Sequence, residues 1–469
     1  MFRRLRHLLT VAALLAPAQL AAQVVDVSQA SLAQLQRGAS EAYASGQRAQ
    51  AMALTEAILA RAPDDALALF LQTKLWFEAR PTPLSQDAAR VTARRAYDAA
   101  QSKVQRYETS VLAAKIAVSQ QRWFAANGWT RLSALNAPNA QAKAQATQDL
   151  ATVQQINPWQ ISGGFSIRPS SNVNGGSTSA ENRIEGFTAV GVLSTDAMAL
   201  SGIEATANLS AHYRIATTET SRTTLGALIW TRQVELDGDP MRETVDPSTG
   251  GTLREPIESS DFAAVYLRPE MSHLRETKLG RVEVSGHVSR YWQGGDALWT
   301  GRGISGRLGF GRDVNWTVSS SLEHRRYINS RKDTLWTFGV ERGTEIFQAG
   351  HLRTGVVWLT QNSTSANTRM ERLRGRVGFT PNSPIAGVSL TAEVSAQRSI
   401  YRDYSFLGMH PDGGRRDDTV AMRVSIRRAD WSFAGVTPEW TIETSRTRSN
   451  VSRFTGEELA AGLGLRTKF

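Results

Sequence analysis

The chain has no cysteine among its 469 residues. That excludes disulfides, thiolate metal sites, cysteine nucleophiles and lipidation of the chain itself. Beyond the amino terminus it also lacks any apolar run long enough for a spanning helix, which argues against a helical membrane protein. No G-x-S-x-G elbow occurs, and His212, His273, His287, His324, His351 and His410 are scattered without metal-ligand spacing. No catalytic, cofactor or metal site is therefore expected, and the chain does not read as an enzyme. The formal charge is +11, but it is dispersed: residues 23–158 carry 14 basic and 10 acidic side chains, and the remainder 37 against 33. Without a concentrated basic stripe, nucleic acid is not an expected partner.

What is present begins with a basic start (Arg3, Arg4, Arg6), an apolar run from Leu8 to Leu15 and small residues through Ala21 and Ala22. This pattern is a secretory signal peptide over residues 1–22. From Ser31 to Thr152 the chain is rich in Ala, Gln, Leu and Arg, and helix-length runs alternate with breakers at Gly46, Pro63, Pro81 to Pro83 and Gly128. Helices are expected over 31–44, 47–60, 64–79, 85–100, 104–120 and 139–153. Ala57, Leu59, Pro63, Asp64 and Leu67 have the spacing of a junction in tetratricopeptide-like repeats. A domain over residues 23–156 is read as such an array, gripping an extended protein segment or forming a supporting bundle.

At Asn157 the texture changes to Ser, Thr, Gly, Trp and alternating apolar residues, and a second domain is expected over 157–469. Fourteen strand-like segments can be placed there. They fall near 159–169, 198–214, 219–235, 261–273, 280–292, 299–312, 315–328, 334–347, 350–361, 368–381, 386–400, 418–428, 436–449 and 455–469. In the last of these Leu459, Leu463, Leu465 and Phe469 share one parity while Glu458, Arg466 and Lys468 share the other. Leu463, Leu465 and the terminal Phe469 form a barrel assembly signal, to be read by the barrel assembly machinery. The long links, 170–197, 236–260 and 401–417, all follow odd-numbered strands, whereas short turns follow even-numbered ones. This is the pattern of a 14-stranded antiparallel transmembrane β-barrel in outer-membrane lipid. Tryptophans and tyrosines at strand ends, Trp299, Tyr266, Tyr291 and Tyr327 among them, are expected in interfacial girdles. Arg372, Arg374, Arg376, Arg423 and Arg427, with Glu393, would line the lumen as a polar path or as a neutralising lining.

Two stretches go beyond generic barrel texture. One, from Asn157 to Ser177, carries Trp159, Pro169, Asn172 and Asn174; the other runs from Arg415, Arg416 and Asp417 through three closing strands to Phe469. With the signal peptide and the helical front, they resemble the surface lipoprotein assembly modifier (Slam) family. That resemblance implies an outer-membrane translocon, with its helical domain in the periplasm, that delivers client secreted proteins or lipoproteins to the cell surface without catalysing a reaction. The alternative is a passive diffusion porin with an attached periplasmic helical domain.

Overall fold

The computed structural model describes residues 29–468 apart from 189, 246, 247, 249, 347, 348, 429, 430 and 432–435. The expected signal peptide, Phe469 and the turn expected at Gln348 lie outside the described residues. The chain divides into two compact units, residues 1–147 and 148–469.

The first unit is helical, with α1 (Leu32–Ala44), α2 (Arg48–Arg61), α3 (Ala66–Glu78), α4 (Pro83–Ala99), α5 (Lys103–Ser119) and α6 (Trp123–Asn136). The helix α7 (Ala140–Ile156) runs on into the second. Local chemistry sets the helix starts. Ser31 and Gln34 form a reciprocal capping box, Ser102 and Gln105 another, and Thr82 caps α4 with Pro83 in its first turn. Asp65 caps α3 through the Ala68 N–H at 2.8 Å and accepts from Gln36 of α1 at 2.6 Å, so one carboxylate ties two helices. Leu35, Ala39, Leu54, Ile58, Ala68, Leu71 and Leu75 make one core across α1 to α3; Ala89, Ala93, Leu112, Ala113 and Ile116 make a second, flanked by Trp76 and Trp129. The sequence reading missed α6 because Gly128 looked like a breaker. Gly128 sits mid-helix on open surface, while Ala126, Asn127, Thr130 and Ser133 bury the opposite side. That burial outweighs the roughly 1 kcal/mol cost of one helical glycine.

The second unit holds a closed antiparallel barrel of fourteen strands. They are β1 (Trp159–Ser170), β2 (Gly202–Thr217), β3 (Ser221–Leu236), β4 (Ala264–Thr277), β5 (Gly280–Gln293), β6 (Asp296–Phe310) and β7 (Trp316–Tyr327). The rest are β8 (Lys332–Ile346), β9 (Gly350–Ser363), β10 (Met370–Pro381), β11 (Ser389–Tyr401), β12 (Arg415–Arg427), β13 (Val436–Ser449) and β14 (Gly456–Lys468). Each strand pairs with its neighbour and β14 returns to β1, so no edge is left unpaired. Closure is what permits sheet structure in lipid, where an open edge has no water to bond. All fourteen expected staves form. Side chains alternate across the wall, and one face leaves Ile304 62 %, Leu459 60 % and Val420 57 % exposed, with Val284, Val288, Leu373 and Ile442 beside them. So much contiguous exposed apolar surface belongs against lipid.

The links agree with the sequence in outline and depart from it in detail. Residues 171–201, 237–263 and 402–414 are long and share one end of the barrel, but at that same end 294–295 joins β5 to β6 in two glycines with φ of +58° and +87°. Two of the long links are not plain loops. They contain small hairpins, Glu181–Arg183 with Val190–Val192 and Met241–Val245 with Thr252–Pro256. The expected aromatic girdle fails at one place. Trp299, 7 % exposed, packs with Tyr266, Tyr291 and Tyr327 under the Arg325 guanidinium, on the face opposite the apolar one. Parity decides this: register aligns Trp299 with Tyr291 and Tyr327, while Ile304 lies on the other face.

Candidate functional site

The seam between β1 and β14 differs from the rest of the wall. Among the described residues seven register pairs join it, from Ser162 with Lys468 to Ser170 with Ala460, whereas twelve join β1 to β2. The seam's ladder is interrupted between Ile167 and Ser170, where Pro169 has no N–H to donate, as the β4–β5 ladder is between Leu267 and Glu270 at Pro269. The strands nevertheless approach closely. A Cβ on Gly462 would lie 2.7 Å from the Arg168 Cβ and 2.9 Å from the Ile167 carbonyl oxygen, so only glycine fits there.

Charge secures what the ladder does not. On the face opposite the apolar girdle, the Arg168 guanidinium meets Glu204 of β2 at 2.8 Å, Glu443 of β13, and Glu458 of β14 at 3.8 Å. Glu204, 5 % exposed, also accepts from Arg232 of β3 at 2.6 Å, and Glu443 pairs again with Arg423 of β12. One arginine thus links four adjacent strands across the seam. Each carboxylate keeps a second donor, which offsets part of the cost of its burial.

Above this network the segment 171–201 lies at the long-loop end, bonded to elements on both sides of the seam. It starts with Val173 packed among Leu200, Val234, Leu236 and Ile257, where Arg232 also donates to the Val173 carbonyl. The Asn174 amide donates to the carbonyls of Asp196 and Met198 at 3.0 and 2.6 Å, and its oxygen accepts from the Leu200 N–H at 2.9 Å. The Asn172 amide donates to Gly176 and Glu457 carbonyls, while its oxygen accepts from the Gly176 N–H. Gly176 has no alternative residue, since a Cβ there would sit 2.1 Å from the Met198 carbonyl oxygen. At its far side the segment buries Ile184 against Val451 and Tyr404. Glu185 pairs with Arg416 at 3.1 Å, and the Glu185 N–H donates to the Asn450 carbonyl. Arg415 holds Asp417 at 2.7 Å beneath the rings of Tyr401 and Phe454, 3.8 and 3.4 Å from its guanidinium carbon. Burial pushes the Tyr404 hydroxyl above its ordinary pKa, with nearby Arg415 pulling the other way.

The residues singled out from sequence therefore occupy several places. Asn172, Asn174, Arg415, Arg416 and Asp417 lie at the long-loop end, in or around segment 171–201. Trp159 opens β1 at the opposite end, its ring 4.8 Å from Tyr213, and Pro169 interrupts the seam. Arg372, Arg374, Arg376, Arg423 and Arg427 share the charged face. Arg372 donates to Ser399 and Arg374 to Ser395, while Arg376 pairs with Glu341 and Arg427 with Glu439. Arg423 turns to Glu443 although register also sets it opposite Glu393. Leu463 and Leu465 lie exposed on the apolar face. Arg168 and Glu204 were missed, though the alternation of Ser162, Ser166, Arg168 and Ser170 with Phe165 and Ile167 marks the face. Among the described residues no group of His, Asp and Glu could hold a metal ion.

Residues 275–458 match the family model of the surface lipoprotein assembly modifier. This stretch is similar to that family, and it covers under half of the chain. It contains β5 to β13 whole, together with the arginines of β10 and β12 and the Arg415–Asp417 pair. No curated protein matched the chain. Among solved structures, similar folds include a bacterial polysaccharide outer membrane secretin (8% identity, 66% of this chain and 98% of that one, TM-score 0.36). The outer membrane channel DcaP of Acinetobacter baumannii is also similar (11% identity, 66% and 97%, TM-score 0.36), as is CdiB from the same organism (8%, 66% and 60%, TM-score 0.33). These likenesses concern the barrel fold alone. With its closed ring of fourteen strands and its lipid-facing apolar band, the barrel is an outer-membrane protein.

Proposed function

We propose that the protein is an outer-membrane translocon that moves client proteins, surface lipoproteins or related secreted proteins, from the periplasm to the cell surface. The Slam-family match over residues 275–458 carries this reading. On it, the helical unit over residues 23–156, a tetratricopeptide-like array behind a cleaved signal peptide, faces the periplasm and takes up the client. The long-loop end faces outward. Arg372, Arg374, Arg376, Arg423, Arg427 and Glu393 line the polar side of the passage, and Phe469 with Leu463 and Leu465 serves recognition by the barrel assembly machinery. No bond is made or broken in the client.

Deleting the gene and shaving intact cells with protease tests the proposal. Surface exposure of at least one lipoprotein or secreted protein is expected to fall and to return with the full-length gene. Unchanged exposure of every candidate would sink it. Steady ion conductance of the purified protein in planar bilayers, independent of any client, would favour the porin.

A further inference from the structure

The apolar face carries one group of charges that the wall does not neutralise. Arg290 of β5, Arg326 of β7 and Lys332 of β8 lie in one row, because register aligns Thr300 with both Arg290 and Arg326, and Arg326 with Lys332. One row below, Arg302 of β6 is aligned with Val288 and His324. All four cations are exposed, and they share their face with Val288, Ile304 and Leu322 rather than with the inward Trp299 cluster. The row stands at the long-loop end, next to the tight links 294–295 and 328–331. Arg290, Arg302 and His324 line a shallow groove there, together with Leu267 and Pro269.

Three ion pairs elsewhere on the wall supply the contrast, although Arg448 and Arg342 on the same face also show no acidic partner among the described residues. At the same end of the outer face, Arg398 pairs with Asp418 at 2.7 Å, Arg446 with Glu457 at 2.9 Å, and Glu371 with Arg402 at 3.4 Å. Among the described residues no acidic side chain pairs with Arg290, Arg302, Arg326 or Lys332. A cation turned toward hydrocarbon is costly, and the cost falls close to zero only near the interface. Four together also repel one another, so this arrangement needs an anion from outside the protein. Arginine forks match phosphate oxygens two at a time.

We propose that this patch binds the phosphate groups of an anionic glycolipid in the outer leaflet, its acyl chains lying along Val288, Ile304 and Leu322. The proposal rests on the outward orientation of the long-loop end argued above. The lipid would act as a fixed neighbour of β5 to β8, away from the seam, so that this half of the barrel stays anchored in the leaflet.

The test uses the full-length protein in detergent and native mass spectrometry, with bis-phosphorylated lipid A, dephosphorylated lipid A and inorganic phosphate as probes. The wild type is expected to retain phosphorylated lipid A in preference to the dephosphorylated form. The triple variant Arg290→Gln/Arg302→Gln/Arg326→Gln should bind it about tenfold more weakly, the loss of two or three charge-assisted contacts. Arg398→Gln, which removes a neutralised arginine at the same level, should bind as the wild type does. Equal retention of both lipids by the wild type, a triple variant that binds as tightly as the wild type, or complete displacement by inorganic phosphate overturns the proposal. Heat-modifiability on gels confirms that each variant is folded, and the dephosphorylated-lipid comparison needs no variant. Orientation is read separately by labelling Asn329→Cys, the only thiol in the chain, with an impermeant maleimide on intact cells. Labelling without lipid binding defeats the lipid site; binding without labelling defeats the orientation.

Discussion

Replacing Arg168 with Gln removes one charge from a cluster in which Arg168, Arg232 and Arg423 face Glu204, Glu443 and Glu458. The volume is nearly kept, so packing should change little. The cluster is neutral with Arg168 and carries one net negative charge without it. Arg168 is 21 % exposed and Glu204 6 %, which puts the pair between a surface salt bridge and a buried one. Breaking a fully buried pair costs roughly 3–5 kcal/mol and an exposed one under about 1. Glu204 keeps Arg232 and Glu443 keeps Arg423, but Glu458 is left with the Ser170 hydroxyl at 2.9 Å. A loss of about 2 kcal/mol is therefore expected, concentrated at the β1–β14 seam.

Urea unfolding of the full chain in detergent, followed by tryptophan fluorescence and by heat-modifiability, measures it. The midpoint should fall without a change in slope. The Arg168→Gln/Glu443→Gln pair should be less than additive by about 1 kcal/mol, since the two residues share one contact. Because the cluster is partly buried, most of the loss should survive in about 0.5 M salt. Full additivity, or an effect that vanishes in salt, would mean that the network is a screened surface feature and does not hold the seam.

Three further outcomes are expected. Ile58→Ala, at a fully buried position between α1 and α3, should destabilise the helical unit by about 2–5 kcal/mol, seen as an earlier loss of helical circular dichroism; an unchanged transition would contradict the packing described. Asn174→Ala deletes the bonds to Asp196, Met198 and Leu200, so trypsin should cut at exposed Arg183 about tenfold faster, with wild-type resistance as the contrary result. Tyr43, whose pKa is pushed up to about 12 by burial and by its hydrogen bond to Glu78, is a group raised in the folded state. The stability it contributes is complete below pH 10 and is lost as pH rises through about 12. Tyr43→Phe should remove that alkaline loss in full-chain unfolding, and an unchanged profile would assign the titration elsewhere.

The staves were legible because a half-buried strand writes its period of two directly into the sequence, as Val420, Met422 and Val424 against Ala421 and Arg423 do. Where a local signal was overridden by packing, reading failed: Gly128 looked like a break and lies inside α6. Trp299 looked like a girdle residue and packs on the charged face. The path of segment 171–201 was not legible at all. Its anchors are single asparagines bonded to backbone carbonyls as far apart in sequence as Asn172 and Glu457, and such pairings follow from closure of the ring, not from any local pattern. Arg168 and Arg302 were legible in principle. Each alternates with assigned residues, but an arginine on either face of a strand reads as ordinary until the neighbouring strands show what it meets.

The unequal means of holding the barrel together bear on how it could work. Around most of the ring, continuous ladders join neighbouring strands, and breaking one exposes a row of backbone groups to lipid. At the β1–β14 seam Pro169 interrupts the ladder, and closure leans on Arg168 and on the strap that bonds Asn172 to Glu457 and Arg416 to Glu185. Side-chain bonds of this kind, in contact with the polar side of the wall, can be exchanged for water or for a client's polar groups, whereas a backbone ladder in hydrocarbon has no substitute but another strand. Displacement of segment 171–201 would therefore loosen the seam, because it breaks the bond from Asn172 to β14. The phosphate-binding patch proposed on β5 to β8 lies well away around the ring from that seam, where an anchored lipid would leave the movable side free.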